Sequence, residues 1–168
     1  MMQFLKMTGL WLLAEVLTLF LDLTLSFSGN VVVRVLCAVC TLGIFLALML
    51  QGGYSAGKAD RKAHQELHPL RGVLLGVCGA AVPFLLTLLL TLSKAGAFPD
   101  SFYRLYKLLC APFLSVCNLM SADVVTSALP GWAFGVLFLL SLLPVPAACI
   151  AYVMTMQGKA PEDLMVKK

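Results

Sequence analysis

Apolar residues dominate four stretches of the chain, at 7–27, 31–51, 72–93 and 131–156, and charge almost vanishes within them. At 1.5 Å per residue each is long enough to cross the roughly 30 Å hydrocarbon core of a bilayer. A backbone surrounded by lipid must satisfy its hydrogen bonds internally, which leaves helices or closed barrels. None of the four stretches alternates polar and apolar residues as a barrel strand does, so the pattern predicts helices. The expected fold class is all-α: a polytopic membrane protein with a four-transmembrane-helix bundle as a single membrane domain over 1–168. A polar loop at 52–71 and a tail at 157–168 flank the spans on the side assigned below to the cytoplasm.

The connection between the third and fourth spans carries a pattern of its own. Asp100 or Ser101 can cap a helix there, and Phe102, Leu105, Leu109, Phe113 and Val116 recur at three- and four-residue intervals, with Tyr103, Arg104 and Lys107 elsewhere on the circumference. Pro112 interrupts the run, and the uncharged part after Lys107 is short for a crossing. The reading is an interfacial or re-entrant helix over 101–120, with a fifth crossing as the alternative.

Composition narrows the class further. Hydrophobic residues make up 61% of the chain and charged residues 12%, where a soluble domain is about one quarter charged. No soluble catalytic domain fits in what remains outside the spans. The net charge of +4 does not point to nucleic acid, because the basic residues stand beside the spans rather than on one polar face. With the N-terminus inside, one side of the membrane carries Lys6, Lys58, Arg61, Lys62, Arg71, Lys159, Lys167 and Lys168, and the other carries Arg34, Lys94, Arg104 and Lys107. That asymmetry places both termini in the cytoplasm. The first span is expected to remain as a helix, since Glu15 and Asp22 interrupt its apolar run and no small-x-small cleavage site follows.

Small residues and prolines say how the helices pack. Gly72, Gly76, Gly79 and Ala80 form a stripe at intervals of three and four, and Gly131 and Gly135 do the same on the fourth span. Such stripes allow close approach where lipid gives no hydrophobic drive to associate. Pro83, Pro144 and Pro146 each remove a backbone donor and should kink their helices.

The candidate functional residues begin with the charges inside the spans. Glu15 and Asp22 are seven apart, hence on nearly one face of the first helix. Intramembrane carboxyls face bundle interiors or aqueous cavities, so Glu15 is a candidate proton or cation site, or else a protonated carboxyl bonded to a neighbouring helix. Arg34 would descend the second helix to the depth of Asp22 and pair with it. Lys58, Arg61, Lys62 and Arg71 are assigned to topology and to anionic lipid headgroups. His64 and His68 have the four-residue spacing that can hold zinc, with Asp60 the nearest further ligand. Pro69 biases His68 away from helical geometry, however, and Gln65 stands where a metalloprotease helix has its carboxylate, so no metal and no cofactor is expected.

Two other motifs dissolve on inspection. Gly52 and Gly57 followed by Lys58 have phosphate-loop spacing, but Ala59 replaces the required hydroxyl and a membrane helix precedes them. Cys37 and Cys40 form a C-x-x-C in mid-span, where a thiol does not readily ionise; like Cys78, Cys110, Cys117 and Cys149 they read as small fillers.

Tyr54, Gly57, Asp60 and Arg61, followed by Gly72, Gly76 and Pro83, resemble a pattern in small multi-helix integral membrane proteins of anaerobic Gram-positive bacteria. The resemblance covers about thirty residues and implies a bacterial inner membrane and a four-helix architecture, with no activity to carry over. On the residues themselves, the expected function is that of a non-enzymatic accessory or scaffold subunit. Its partners would be the lipid bilayer and a larger membrane protein or further copies of itself. The alternatives are a small-solute or ion transporter centred on Glu15, or a membrane-embedded enzyme using His64, His68 or the cysteines.

Overall fold

The computed structural model describes residues 2–25, 30–64, 66–121 and 123–158, with the side chains of Met2 and Phe4 left aside. Lys159, Lys167 and Lys168 of the topology argument lie outside the described residues, as does Gln65. All the described secondary structure is helical: α1 Met2–Leu25, α2 Val31–Lys62, α3 Pro69–Lys94, α4 Phe102–Leu109, α5 Ala111–Met120, a 3-10 turn Thr126–Ala128, α6 Gly131–Leu142 and α7 Pro144–Met156. Four helical stretches are long and apolar enough to cross a membrane: Leu5–Leu25, Val31–Lys62, Pro69–Lys94 and Gly131–Met156.

Local chemistry sets the helix ends. The Asn30 side chain accepts the Val32 N–H at 3.0 Å and so caps α2. Pro69 opens α3, where its missing donor is harmless. At the other end of α3, Gly96 adopts φ +87°, the Ala97 N–H reaches back to the Leu92 carbonyl and the Gly96 N–H to Ser93. This is the Schellman closure that a left-handed glycine permits. α3 runs through Pro83 without a break, whereas Pro144 divides the last span into α6 and α7.

α2 departs from the sequence reading. The stretch expected to be loop from Gly52 onward is helical as far as Lys62. At 32 residues α2 is about 48 Å long, more than the roughly 30 Å that a crossing requires, and its last turn carries Arg61 and Lys62. Gly52, Gly53 and Gly57, in the stretch expected to be loop, are packing positions.

The chain forms two compact units. In the first, made of residues 1–11, 46–80 and 142–158, glycines bring helices together. A methyl group built on Gly57 would stand 2.8 Å from Thr155 Cβ, and one on Gly76 would stand 2.5 Å from Val145 Cα. One on Gly53 would overlap the Ala148 carbonyl, and one on Gly72 would press on Cys149 and Tyr152. α2 and α3 therefore both pack backbone-close on α7, as small-residue faces do in membrane proteins. The second unit, residues 12–45 and 81–141, centres on Phe45 and Phe113, whose buried rings meet edge to face at 5.6 Å between centroids.

The segment expected to be one helix over 101–120 is two, broken at Cys110. Tyr103, Tyr106, Lys107 and Cys110 point inward, while Leu105, Leu108 and Leu109 are exposed. Nor does Asp100 or Ser101 cap α4 with its side chain. The Asp100 carboxylate accepts the Ser127 N–H at 2.7 Å and the Ser127 hydroxyl at 2.6 Å, pinning the 3-10 turn. Lys94 donates to the Ser127 and Leu129 carbonyls in the same turn.

The Ser127 hydroxyl holds the Asp100 carboxyl below the ordinary carboxylate range. Because the folded pKa is depressed, the tether's contribution is complete above the unfolded value and fades as pH falls through the folded one. Melting temperature is therefore expected to fall less steeply between about pH 5 and pH 3 in Asp100→Asn than in the native protein. Parallel curves would remove Asp100 as a tether.

Candidate functional site

Among the described residues, polar groups are gathered inside both units. In the second unit, α1 presents Glu15 and Asp22 toward α5. α5 begins at Ala111 with Pro112 beside it, and its first amides have no intrahelical acceptor. The Ala111 N–H donates to Glu15 Oε1 at 2.8 Å, so a carboxyl from 96 positions away caps this helix and meets the positive end of its dipole. Glu15 Oε2 is buried and accepts no hydrogen bond among the described residues.

Two turns on, Asp22 is buried, and its Oδ1 accepts from the Ser115 hydroxyl and from the Cys37 thiol at 3.2 Å. The two donors are themselves 3.2 Å apart, so the three side chains form a closed triangle between α1, α2 and α5. Arg34, the partner expected from sequence, is exposed on α2. Neither Ser115 nor Cys37 could be picked out in advance. Ser115 is one hydroxyl in a segment read as interfacial, and Cys37 was read as filler.

The same unit buries a cation. Lys107 is 6% exposed; its ammonium donates to the Ser121 and Asp123 carbonyls at 3.1 and 2.9 Å and lies 4.5 Å from the centre of the Tyr103 ring. Burial pulls its pKa below the ordinary lysine value. Tyr103 donates to the Cys117 carbonyl, and Tyr106 shares a hydrogen bond with Thr87 at 3.0 Å, which in turn meets Ser141. Burial pushes the Cys117 thiol up to about 12, far from the range of a reactive thiolate. All six cysteines are free.

The first unit holds the more complete network. Asp60, on the last turns of α2, is 3% exposed. Its Oδ2 lies 3.1 Å from Arg71 Nε and accepts the Tyr152 hydroxyl at 3.0 Å, and its Oδ1 accepts from Gln3 Nε2 at 3.2 Å. Arg71 Nη2 also donates to Gln3 Oε1 at 3.2 Å. Four helices, α1, α2, α3 and α7, are thus tied at one point. Arg71, read from sequence as a topology and headgroup residue, is a member of this network while remaining partly exposed.

The remaining candidates stay apart. His64 closes α2 at φ +51°, and His68 precedes Pro69 outside any helix, so the two exposed imidazoles do not share a helix face. Among the described residues no group of three or more His, Cys, Asp or Glu is assembled to hold a metal ion. Lys58, Arg61 and Lys62 occupy the last turns of α2 around Asp60.

Compared with protein-family models, curated proteins and solved structures, the chain matches none. Chemically, the Glu15–Asp22 side of α1 offers carboxyls to a proton or a cation, and the Asp60–Arg71 network offers a held guanidinium.

Proposed function

We propose that this protein is a non-enzymatic accessory or scaffold subunit of a membrane complex. It would sit in a bacterial cytoplasmic membrane as a four-span bundle with both termini cytoplasmic. α4 and α5 would form a re-entrant or interfacial pair between the third and fourth spans. The outward leucines 105, 108 and 109 over an inward Tyr103, Tyr106 and Lys107 favour that placement, since lipid reverses the polarity a water-facing helix would have.

The observation that carries the reading is the open face of α6. Gly53, Gly57, Gly72 and Gly76 are filled by backbone or Cβ atoms of α7, whereas nothing lies within 4 Å of a methyl built on Gly131 or Gly135. These two glycines are one turn apart, and Trp132 and Leu139 beside them are exposed. Gly9 and Gly43 are open too, but neither has another glycine within two turns of its helix. The chain uses its other paired glycines for helix contact, so the α6 pair is a place for a helix of a partner.

The test is purification in mild detergent from the native membrane followed by native mass spectrometry. A second polypeptide is expected with the native chain and is expected to be lost with Gly135→Leu, whose melting temperature should not change. A chain that remains alone, or a partner indifferent to Gly135→Leu, would sink the proposal.

One observation favours a second reading, transport of a small solute or ion: the buried Glu15 Oε2 without a hydrogen bond. Asp22 and Arg34 would belong to the same pathway. Glu15→Gln keeps an acceptor for the Ala111 N–H, so it should shift stability by less than about 1 kcal/mol. Under this reading it abolishes proton- or cation-coupled flux in proteoliposomes. Flux that persists in Glu15→Gln removes the carboxyl from the mechanism.

A further inference from the structure

The start of α3 carries a recess of about 470 Å³ lined by His68, Pro69, Leu70, Arg71 and Leu74. Its chemistry is divided. Arg71, its side chain 35% exposed, and His68 bring polar groups to a lining that Pro69, Leu70 and Leu74 make largely apolar. α3 is 26 residues long, about 39 Å, so a helix that crosses the hydrocarbon core must bring Arg71, in its first turn, to the level of the lipid phosphates.

The guanidinium is already held in place. Asp60 engages Nε and Gln3 engages Nη2, so its rotamers are restricted before any ligand arrives. An arginine ordered in advance loses little further entropy when it binds a phosphate, and its planar donors match phosphate oxygens. Asp60 does not cancel this, because its carboxylate faces inward at 3% exposure, and Lys58, Arg61, Lys62 and Arg71 outnumber Asp60 and Glu66 at this end. Beyond the recess, Leu70, Leu74 and Val77 follow at intervals of four and three, each exposed. They form one continuous apolar track leading away from Arg71, along the span.

We infer that the recess at His68–Leu74 is a binding site for one anionic phospholipid, with the headgroup phosphate on Arg71 and an acyl chain along Leu70, Leu74 and Val77. A free phosphate ion would share the arginine chemistry and leave the apolar track unused, which is why the lipid is preferred. The site is independent of the α6 face and stands whether or not a partner subunit exists.

The experiment uses the full-length chain reconstituted into vesicles of equal phosphatidylglycerol and phosphatidylcholine, extracted gently and read by native mass spectrometry. The native protein is expected to retain phosphatidylglycerol over phosphatidylcholine by about fivefold, the factor one basic side chain gives beside an anionic lipid. Arg71→Gln should bring the ratio near parity. Because that change also removes the partner of Asp60, Leu74→Trp is the second variant: it fills the recess from an exposed wall and leaves the network intact. It should lose the preference with an unchanged melting temperature. Lys62→Gln should keep the preference. Equal retention of the two lipids by the native chain would overturn the site, and so would a preference that survives Leu74→Trp. A loss as large in Lys62→Gln as in Arg71→Gln would reduce it to diffuse surface charge. Displacement of the bound phosphatidylglycerol by millimolar inorganic phosphate would overturn the lipid assignment.

Discussion

Asp60→Ala is expected to destabilise the protein by about 3 kcal/mol in a reversible unfolding titration in detergent. The carboxylate is the common acceptor for Arg71, Tyr152 and Gln3, and its removal leaves a guanidinium, a hydroxyl and an amide to find other partners. Breaking a buried ion pair costs roughly 3–5 kcal/mol. The lower end applies because Arg71 is partly exposed and can regain solvation. Asp60→Asn keeps the volume and one acceptor oxygen and should lose about half as much. Residues in one network do not act additively, so Asp60→Ala with Arg71→Gln should fall short of the sum of the single changes. An Asp60→Ala curve superimposed on the native one would mean that the tie between the four helices contributes nothing.

Gly76→Ala is expected to cost about 2–3 kcal/mol for a single methyl group. That methyl would stand 2.5 Å from Val145 Cα, 2.8 Å from the Val145 oxygen and 3.0 Å from the Pro144 oxygen. All three are backbone atoms of α7, which have no rotamer to yield with, so α3 and α7 must separate and lose their contact along the face. Gly79→Ala supplies the contrast. Its nearest neighbour is the Met49 sulfur at 2.9 Å, the end of a flexible side chain, and a loss below about 1 kcal/mol is expected. Gly131→Ala meets nothing within 4 Å and should be neutral or slightly stabilising, since alanine is the better helix former. Equal effects at positions 76 and 131 would refute the backbone-close packing of α3 on α7.

These contrasts bear on what a one-dimensional reading can reach. Long uncharged runs commit a chain to helices in lipid because the backbone has no other way to satisfy its hydrogen bonds there. Length and polarity are enough to place the four long apolar helices. Asn30, Pro69 and Gly96 likewise mark helix ends through local chemistry that acts within a few residues. The stretch from Gly52, expected to be loop, is helical to Lys62, and its glycines could not show this, because a glycine that ends a helix and a glycine that admits a neighbouring helix are the same residue. Only the neighbours decide between them: α7 beside Gly53 and Gly57, and Met7 of α1 beside Gly52.

Polarity on α4 meets a related limit. Three- and four-residue spacing shows that a helix has two faces, but not which of them meets lipid. The leucines turn outward because Tyr103, Tyr106 and Lys107 find acceptors within the protein that lipid does not offer.

The candidate site divides along the same line. Glu15 and Asp22 stood out in the sequence because a carboxyl in an apolar run is costly wherever the chain folds. Their partners did not: the Ala111 amide is 96 positions from Glu15, and Ser115 is 93 from Asp22. Asp60 and Arg71 were visible as charges near the spans, yet nothing local joins them to Gln3 and Tyr152. The sequence alone determined the four long apolar helices and the few polar groups that must be satisfied among them, since both follow from transfer into lipid, residue by residue. Which groups satisfy one another, and which glycine faces are left open, was decided by tertiary packing, because a hydrogen bond or a backbone contact depends on distances that helices set only once they lie side by side.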